Sequence, residues 1–371
     1  MQAHIPVEAL RSALNKILTV VDKKSSRPIL QYSLLEAKNG SLELSATDLE
    51  VSAKISVTAD VNEPGIFCVN SKNLFDILRE LPDETVRLEV DQAGQSLKLD
   101  CGNIHYTLLI FKNDDFPQLM FKGSGKEFEL SSEDVINIIA KTSHAISNDE
   151  TRLYLNGIFF QEMDGKLRAV ATDGYRLSLI ESELSNENHE TLLNGVIIPK
   201  KGVPELKKMA ESYPNKSIGI SVDESFFHAH VGNEYFLSIR LIAREYPKYQ
   251  AVIPSKTTYS LTVDKDLFYN AVKRIRIMSN EKSNGIRIKL TNNEMIITAN
   301  NPSLGDAVEQ VPISYEGKEM EIGFNAKYIL ETLQTLENGE VVLELNNELS
   351  PVIVKSLSLP SYLGIIMPLK L

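Results

Sequence analysis

A three-fold internal repeat of about 125 residues constrains the fold of this chain more than any other feature. Its first marker is a turn after an alternating apolar stretch: Ala46-Thr47-Asp48-Leu49, Ala171-Thr172-Asp173-Gly174 and Thr298-Ala299-Asn300-Asn301. Its second marker is an aromatic or apolar residue before proline near the end of each unit: Phe116-Pro117, Tyr246-Pro247 and Met367-Pro368. Because the markers recur in the same order, duplication explains them better than chance, and we predict three similar domains in tandem.

Each repeat also contains two amphipathic segments and several short alternating ones. An opening helix is predicted over residues 7–16, 131–141 and 264–276, and a second helix, after an apolar strand, over residues 71–81, 200–211 and 325–334. Turn pairs such as Asn39-Gly40 and Asp164-Gly165 separate the predicted strands. The expected fold is α+β, with two helices on one face of antiparallel sheets in each domain. Linkers at Gly123-Ser124-Gly125 and Pro254-Ser255-Lys256 predict domains at 1–122, 126–253 and 256–371.

The bulk composition narrows the class of protein. The chain has 371 residues, of which 43% are hydrophobic and 24% charged, and this is typical of a globular protein of two or three domains. It has neither a long apolar run nor a basic segment followed by an apolar one at its start, so we expect no membrane span, no signal peptide and a cytoplasmic location. Cys68 and Cys101 lie too far apart for a zinc motif and are expected to be free thiols.

The positive charge is concentrated in the predicted helices. The net charge is −11, yet the six helical windows carry 14 basic and 10 acidic residues, a balance of +4 that leaves −15 for the remainder. A single charged helix is usually only a solvated surface. Six equivalent helices could instead share one basic surface inside an acidic protein, which would hold DNA topologically and repel it elsewhere.

Helix packing predicts how many chains such a surface would need. Helices packed side by side lie about 8–10 Å apart, so six in a closed circle leave a hole of only about 7 Å. Twelve helices leave about 25 Å by the same reasoning, which admits duplex DNA. A ring built from this chain should therefore be a dimer.

Motifs along the whole chain resemble those of the bacterial DNA sliding clamps, the beta subunit of the replicative polymerase, DNA polymerase III. They are Arg27-Pro28-Ile29-Leu30, Ala46-Thr47-Asp48-Leu49-Glu50, Phe116-Pro117-Gln118-Leu119, Leu155-Asn156-Gly157, Ala171-Thr172-Asp173-Gly174-Tyr175-Arg176-Leu177, Ser279-Asn280-Glu281-Lys282, Ile322-Gly323-Phe324-Asn325 and Met367-Pro368-Leu369-Lys370-Leu371. The resemblance implies a head-to-tail dimeric ring, with the helices lining the hole and the sheets outside. Such a clamp tethers polymerase to double-stranded DNA without regard to sequence, has no chemistry of its own, and uses no cofactor or metal.

The resemblance further implies one cleft, between the second and third domains, that takes short hydrophobic peptides of polymerases, the clamp loader and repair proteins. The matching residues are Leu155, Thr172, Gly174, Tyr175, Arg176, Leu177, Pro247, Val252, Asn325, Tyr328, Ile365, Met367, Pro368 and Leu369. Apolar Met, Leu and Pro side chains suit several partners, and Arg176 and Asn325 could orient the peptide backbone. Asp173-Gly174 is also a strong hairpin signal, and the C-terminus could be a simple terminal strand. Tyr175 and Ala251 differ from many relatives, so peptide preference could differ.

Contacts to DNA and between subunits follow from the same resemblance. The DNA candidates are Lys24, Asp149, Arg152 and Tyr154 in loops, with Lys72, Arg79, Lys200 and Lys201 expected on helices. They would contact phosphate and read no sequence. The dimer candidates are Tyr106 and Leu108 on an edge strand and Ile277 and Met278 after a helix. All four could equally be ordinary core residues. Asp306 and Glu309 could add salt bridges, although Asn103 and His105 stand where relatives often have basic residues.

Two functions of other classes remain as alternatives. The chain contains no phosphate-binding loop, no His-Glu-x-x-His helix and no Gly-x-Ser-x-Gly elbow, so an enzyme is disfavoured. His228 and His230 alternate along a predicted strand and are expected to face solvent rather than a metal. A monomeric adaptor of three domains without a role on DNA would be distinguished by its mass in solution.

Overall fold

The computed structural model describes residues 1–22, 26–91, 93, 95–184 and 190–370. In the first repeat, strands surround two helices. The elements are β1 (Gln2–Pro6), α1 (Val7–Ile17), β2 (Tyr32–Lys38), β3 (Ser41–Thr47), β4 (Val51–Thr58), β5 (Asp60–Glu63), β6 (Gly65–Asn70), α2 (Ser71–Glu80), β7 (Thr85–Val90), β8 (Ser96–Cys101) and β9 (Ile104–Phe111), with 3₁₀ turns at Pro28–Gln31 and Asn113–Asp115.

The second and third repeats follow nearly the same order. The second contains β10 (Phe128–Ser131), α3 (Ser132–Thr142), β11 (Gly157–Met163), β12 (Lys166–Thr172), β13 (Arg176–Glu183), α4 (Glu190–Leu193), β14 (Val196–Pro199), α5 (Val203–Ser212), β15 (Ser217–Val222), β16 (Phe226–Val231) and β17 (Tyr235–Arg240). The third contains β18 (Tyr259–Asp264), α6 (Lys265–Ile275), β19 (Gly285–Thr291), β20 (Glu294–Asn301), β21 (Gly305–Pro312), β22 (Met320–Asn325), α7 (Ala326–Gln334), β23 (Glu340–Leu345), β24 (Val352–Ser356) and β25 (Leu359–Ile366). Short 3₁₀ turns lie at Ser143–Ala145, Leu153–Leu155, Tyr249–Val252 and Arg276–Met278. The predicted α+β fold of three similar units is confirmed.

The chain packs as two compact units, and neither coincides with a repeat. The first unit comprises Met1–Ile136, Leu184–Thr191 and Lys201–Leu241. Its antiparallel strands run in the order β10-β15-β16-β17-β4-β3-β2-β6, and the order continues through β9 to β8-β7-β1-β5. Strands of the first and second repeats meet where β4 pairs with β17, Ala53 lying opposite Leu237. One continuous sheet therefore hides edge strands of both repeats.

The second unit, Asn137–Glu183, Leu192–Lys200 and Ile242–Leu371, repeats this arrangement. Its larger sheet has the order β14-β11-β12-β13-β25-β24-β23-β18, and β13 of the second repeat pairs with β25 of the third. A separate sheet has the order β21-β20-β19-β22. Because β21 pairs with β20 alone among the described strands, it forms a free edge.

The helices form where apolar residues recur at helical spacing after a strand. In α1 the buried positions are Val7, Leu10, Ala13, Leu14 and Ile17, which share one face. Side chains cap the starts of four other helices, since Asn70, Ser131, Asp264 and Asn325 accept a backbone N–H from the first turn of α2, α3, α6 and α7. No helix in the described ranges has both the length and the apolar character of a membrane span.

One predicted helix start is wrong. α5 begins at Val203, not at residue 200, because Gly202 occupies the N-cap position and Pro204 the first turn, where a missing N–H costs nothing. Lys200 and Lys201 therefore precede the helix. With the observed bounds the six long helices carry 11 basic and nine acidic residues, so their basic excess is smaller than predicted.

Candidate functional site

Nine of the fourteen residues predicted for a peptide cleft line one cavity of about 270 Å³ in the second unit. They are Leu155, Thr172, Gly174, Arg176, Leu177, Pro247, Val252, Ile365 and Met367. Its apolar wall follows from the pairing of β13 with β25, which places Leu177 opposite Ile365. Strands of two repeats thus create this surface together.

The turn between β12 and β13 forms one rim of the cavity. Thr172 Oγ1 donates to the Arg176 carbonyl at 2.6 Å and accepts from Gly174 N at 3.1 Å. Asp173 Oδ1 accepts from Tyr175 N at 2.9 Å and from Arg176 N at 3.0 Å. Gly174 has φ +91°, and a Cβ at this position would lie 3.0 Å from Arg152 Nη1. Asp173-Gly174 is therefore a turn, as its sequence suggested, and its neighbours line the cavity.

Three aromatic rings pack together beside the cavity. The Phe159 ring stacks on Tyr246 with centroids 4.5 Å apart, and Tyr249 meets Phe159 edge-on at 6.2 Å. Burial raises the pKa of Tyr246. Tyr249 and Lys248 line the cavity but were not among the predicted residues. The sequence signal for these residues was the pair Tyr246 and Tyr249 on either side of Pro247. Two aromatic rings close together in a connecting segment indicate that the segment packs against its domain.

Arg176 and Asn325 occupy supporting positions. Arg176 is only 6% exposed, and its guanidinium pairs with Asp173 at 3.2 Å and Glu331 at 2.5 Å. It also donates to the His144 carbonyl at 2.5 Å. Asn325 Oδ1 accepts from Lys327 N at 2.9 Å as the cap of α7. These contacts hold the rim and α7 in place, and a direct contact of either side chain with a peptide stays a prediction.

The remaining predicted cleft residues lie beside the cavity. Tyr175 is 58% exposed, and its ring is stacked on Tyr328 with centroids 6.4 Å apart. The segment after β25 is fixed through its backbone, since Met367 N donates to the Tyr175 carbonyl at 2.9 Å and Leu369 N to the Gly323 carbonyl at 2.8 Å. Pro368 lies between these two bonds. The C-terminal segment is thus docked beyond the end of the last strand.

A polar cavity of about 660 Å³ adjoins Arg176 in the same unit. Lys200, Lys327 and Glu331 are among its lining residues, together with His144. Burial and the nearby Arg176 charge lower the pKa of His144 to about 3. This histidine is therefore neutral near pH 7, and its Nδ1 has no hydrogen-bond partner among the described residues.

The loop before β11 carries candidates for two sites. Asp149 accepts hydrogen bonds from Thr151 N at 3.0 Å and Arg152 Nε at 2.8 Å, and its bonds to Thr151 and Arg152 lower the pKa of its carboxyl. Arg152 lies against Gly174, and Tyr154 lines the apolar cavity. Arg152 and Tyr154, predicted as DNA contacts, therefore lie at the cleft rim.

The other DNA candidates lie on the surface. Lys72 and Arg79 project from α2, where they pair with Asp76 at 2.6 Å and Glu80 at 3.1 Å. Lys201 pairs with Asp48 and Glu50, both at 2.7 Å, in the first unit. Lys200 donates to Asn148 in the second unit. The prediction that Lys200 and Lys201 are helix-borne is wrong, and Lys24 lies outside the described residues.

The four dimer candidates lie at two strand edges. Tyr106 is 38% exposed and Leu108 half-buried on β9, and residues 104–109 pair only with β8 among the described strands. Ile277 is 73% exposed, and Met278 packs against the core of the third repeat. Tyr106 and Ile277 are thus not core residues. Glu309, considered for an intersubunit salt bridge, pairs with Arg274 of its own chain, which lowers the pKa of Glu309.

The expected exposure of His228 is wrong. The residue is 1% exposed, and Phe226 and Asp223 lie against it. Asp223 Oδ2 lies 3.1 Å from His228 Nε2. In the described part of the chain no cluster of His, Cys, Asp and Glu has the arrangement of a metal site.

Three family models match consecutive parts of the chain. The N-terminal, central and C-terminal domains of the DNA polymerase III beta subunit match residues 1–120, 129–248 and 250–370, respectively. The chain belongs to the beta sliding clamp family. Members of this family are the non-catalytic processivity subunit of DNA polymerase III, so the enzyme alternative is excluded.

Relatives and solved structures agree with this assignment over their whole length. The beta sliding clamp of Proteus mirabilis is 34% identical over 373 residues, with all of both chains covered. The DNA polymerase III beta subunit of Pseudomonas aeruginosa superposes with a TM-score of 0.94 at 30% identity, again over all of both chains. A sliding clamp of Bartonella birtlesii bound to griselimycin gives the same TM-score, identity and coverage.

Proposed function

We propose that this sliding clamp closes head to tail with a second copy into a ring around double-stranded DNA and tethers the replicative polymerase, the clamp loader and repair polymerases there. The observation that carries the proposal is the match of three clamp domains in order along the whole chain. A cytoplasmic location follows from action on bacterial DNA. We place the domains at 1–122, 126–253 and 256–371.

The peptide site is the cavity of about 270 Å³ together with Tyr175, Asn325, Tyr328, Pro368 and Leu369 around it. An apolar pocket with a few fixed polar groups suits a short hydrophobic peptide. Arg176 serves as a brace beneath the rim, because its Nε pairs with Asp173, its Nη2 donates to the His144 carbonyl and its Nη1 forms an ion pair with Glu331. A sliding clamp of Bartonella birtlesii binds griselimycin, which makes this ligand a probe for the proposed site.

Each DNA contact is electrostatic and contributes little to binding by itself. Lys72, Arg79, Lys200 and Lys201 supply positive charge, and Arg152 adds one more at the loop before β11. Asp149 cannot attract phosphate, and its role is to hold Arg152 through the 2.8 Å bond between them. With a net charge of −11, the protein stays on DNA mainly because the ring is closed, not because it adheres.

The ring closes where the free edge of β9 meets that of β21 from the other subunit. Pairing these edges would satisfy backbone groups that otherwise invite aggregation. Tyr106 and Leu108 on one side, with Ile277 and Met278 on the other, supply the apolar contact.

Retention on circular DNA tests the ring. The protein is placed on a nicked circular plasmid with a clamp loader, free protein is removed by gel filtration, and half of the sample is linearised with a restriction enzyme. We expect the clamp to stay on the circle and to slide off the linear form. Equal retention on both forms would show ordinary phosphate binding and would overturn the ring.

Removal of residues 367–371 tests the cleft. This deletion takes away one wall of the cavity and the backbone bonds to Tyr175 and Gly323, so we expect affinity for griselimycin to fall at least about tenfold, as expected for loss of one buried apolar side chain. Fluorescence or calorimetric titration measures it. Sedimentation should still show a dimer, and Lys370→Ala, an exposed change in the same segment, should bind normally. Undiminished affinity of the deletion would refute the cleft assignment.

A further inference from the structure

Four of the seven most exposed large apolar side chains in the described chain lie on or beside β9 and β21. Seven large apolar residues are more than 60% exposed: Leu109 82%, Ile277 73%, Leu349 70%, Met120 64%, Leu304 62%, Val308 62% and Leu357 61%. Leu109 lies on β9, and Ile277, Leu304 and Val308 lie on or beside β21. Water contact at so many apolar groups is unfavourable, and such a concentration indicates an interaction surface.

Leu109 faces away from the side that carries Tyr106 and Leu108. On β9, Tyr106 lies opposite Leu99 and Leu108 opposite Leu97, and both partners on β8 are 0% exposed. Tyr106 and Leu108 therefore share the core face of the sheet. Leu109 lies opposite Ser96, so its side chain projects from the other face.

Val308 has the same orientation on β21. Its neighbours Ala307 and Glu309 lie opposite Ala299 and Ile297, which are buried in the core of the third repeat. Val308 lies opposite Thr298 on the reverse face. Leu109 and Val308 are thus the exposed apolar residues of the two edges on the face opposite the core.

We propose that Leu109 packs against Val308 of the partner subunit. The pair would form a second apolar layer at each seam of the dimer, where β9 of one subunit meets β21 of the other. The inference rests on the proposed head-to-tail ring. Pairing β9 with β21 so that both core faces continue into one another puts these two side chains on the same outer face. The proposed contact requires a register in which Leu109 and Val308 lie directly or diagonally opposite, where cross-strand neighbours are about 4.5–5.5 Å or about 7–8 Å apart.

The charged groups of the two edges favour an apolar seam. Glu309 is paired with Arg274, and His105 Nδ1 lies 2.7 Å from Asp100 Oδ1, in each case within one chain. An intersubunit salt bridge made by Glu309 or His105 would have to break these contacts, and exposed ion pairs add little stability. Burial of Leu109 and Val308 against each other needs no such exchange.

Charge substitution tests the contact. The variants are Leu109→Lys, Val308→Glu and the double variant, each compared with wild type by sedimentation velocity over a dilution series. Each single change should weaken each seam about tenfold. Because the ring closes at two seams, the dimer Kd should rise about a hundredfold. In the double variant the opposite charges would lie together, so the Kd should recover by at least about tenfold relative to either single change. Leu349→Lys, equally exposed but away from both edges, should leave the Kd unchanged.

Ile277→Asp separates this inference from the proposed ring. If Ile277→Asp dissociates the dimer while Leu109→Lys and Val308→Glu do not, the outer layer is wrong and the ring stands. If Ile277→Asp also leaves the dimer intact, the proposed seam itself is wrong. If Leu109→Lys and Val308→Glu each weaken the dimer but the double variant does not recover affinity, the proposed direct contact is wrong. All substituted side chains are exposed, and thermal melting of each variant checks that it is folded.

Discussion

Among single residues, Arg176 determines much of the local structure at the cleft. A guanidinium that is 6% exposed must have its donors paired, since an unpaired buried charge is costly. Asp173, Glu331 and the His144 carbonyl provide that pairing from the turn, from α7 and from the segment after α3. The cleft rim therefore depends on a charge that a peptide need not touch.

His144, which neighbours this charge, should make stability fall in mild acid. Its folded pKa of about 3 lies below the usual 6.5, so the unfolded chain takes up a proton first as the pH drops. The contribution is complete above pH 6.5 and is lost below it, by up to about 1.4 kcal/mol per pH unit. Urea unfolding between roughly pH 7.5 and 5.5 should show a shallower fall for His144→Gln than for wild type. An unchanged slope in His144→Gln would contradict the assignment.

At the level of elements, residues at the N-terminus of several helices decide where those helices begin. Gly202 and Pro204 set the start of α5 and leave Lys200 and Lys201 on a turn. Asp264 and Asn325 set the starts of α6 and α7, because their side-chain oxygens accept a backbone N–H from the first turn. At α5 the N-terminal Gly and Pro thus leave two lysines outside a helix that a periodic pattern alone would extend.

Asn325 allows capping and peptide contact to be separated. Asn325→Ala removes the acceptor of Lys327 N and should lower the free energy of unfolding by about 1 kcal/mol, whereas Asn325→Asp keeps an acceptor and should be close to wild type. Chemical denaturation measures both. Stability of Asn325→Ala equal to wild type would mean that the cap is dispensable. If Asn325→Asp is stable but binds griselimycin poorly, the amide contacts the ligand as well.

In the whole molecule, the sequence repeats do not coincide with the compact units in which the chain packs. Each compact unit takes strands from two repeats, joined at β4 with β17 and at β13 with β25. Among the described strands, residues 104–109 of β9 in the first repeat pair on one side only, and β21 in the third repeat is an edge strand. A chain that joins its repeats internally but leaves these strands of its first and third repeats unpaired on one side is suited to close with a second copy.

The sequence by itself determined the three-fold repeat, the α+β class, the amphipathic helices and the Asp173-Gly174 turn, because each depends on short-range periodicity or turn chemistry. The resemblance of its motifs gave the family, which the comparisons confirmed. Only the tertiary structure decided that Arg176 is a buried brace, that Tyr154 and Tyr249 line the cavity, and that His228 is covered. The orientation of Leu109 and Val308 also required strand register. These features depend on which distant strands and side chains meet, and a local pattern of residues does not specify that.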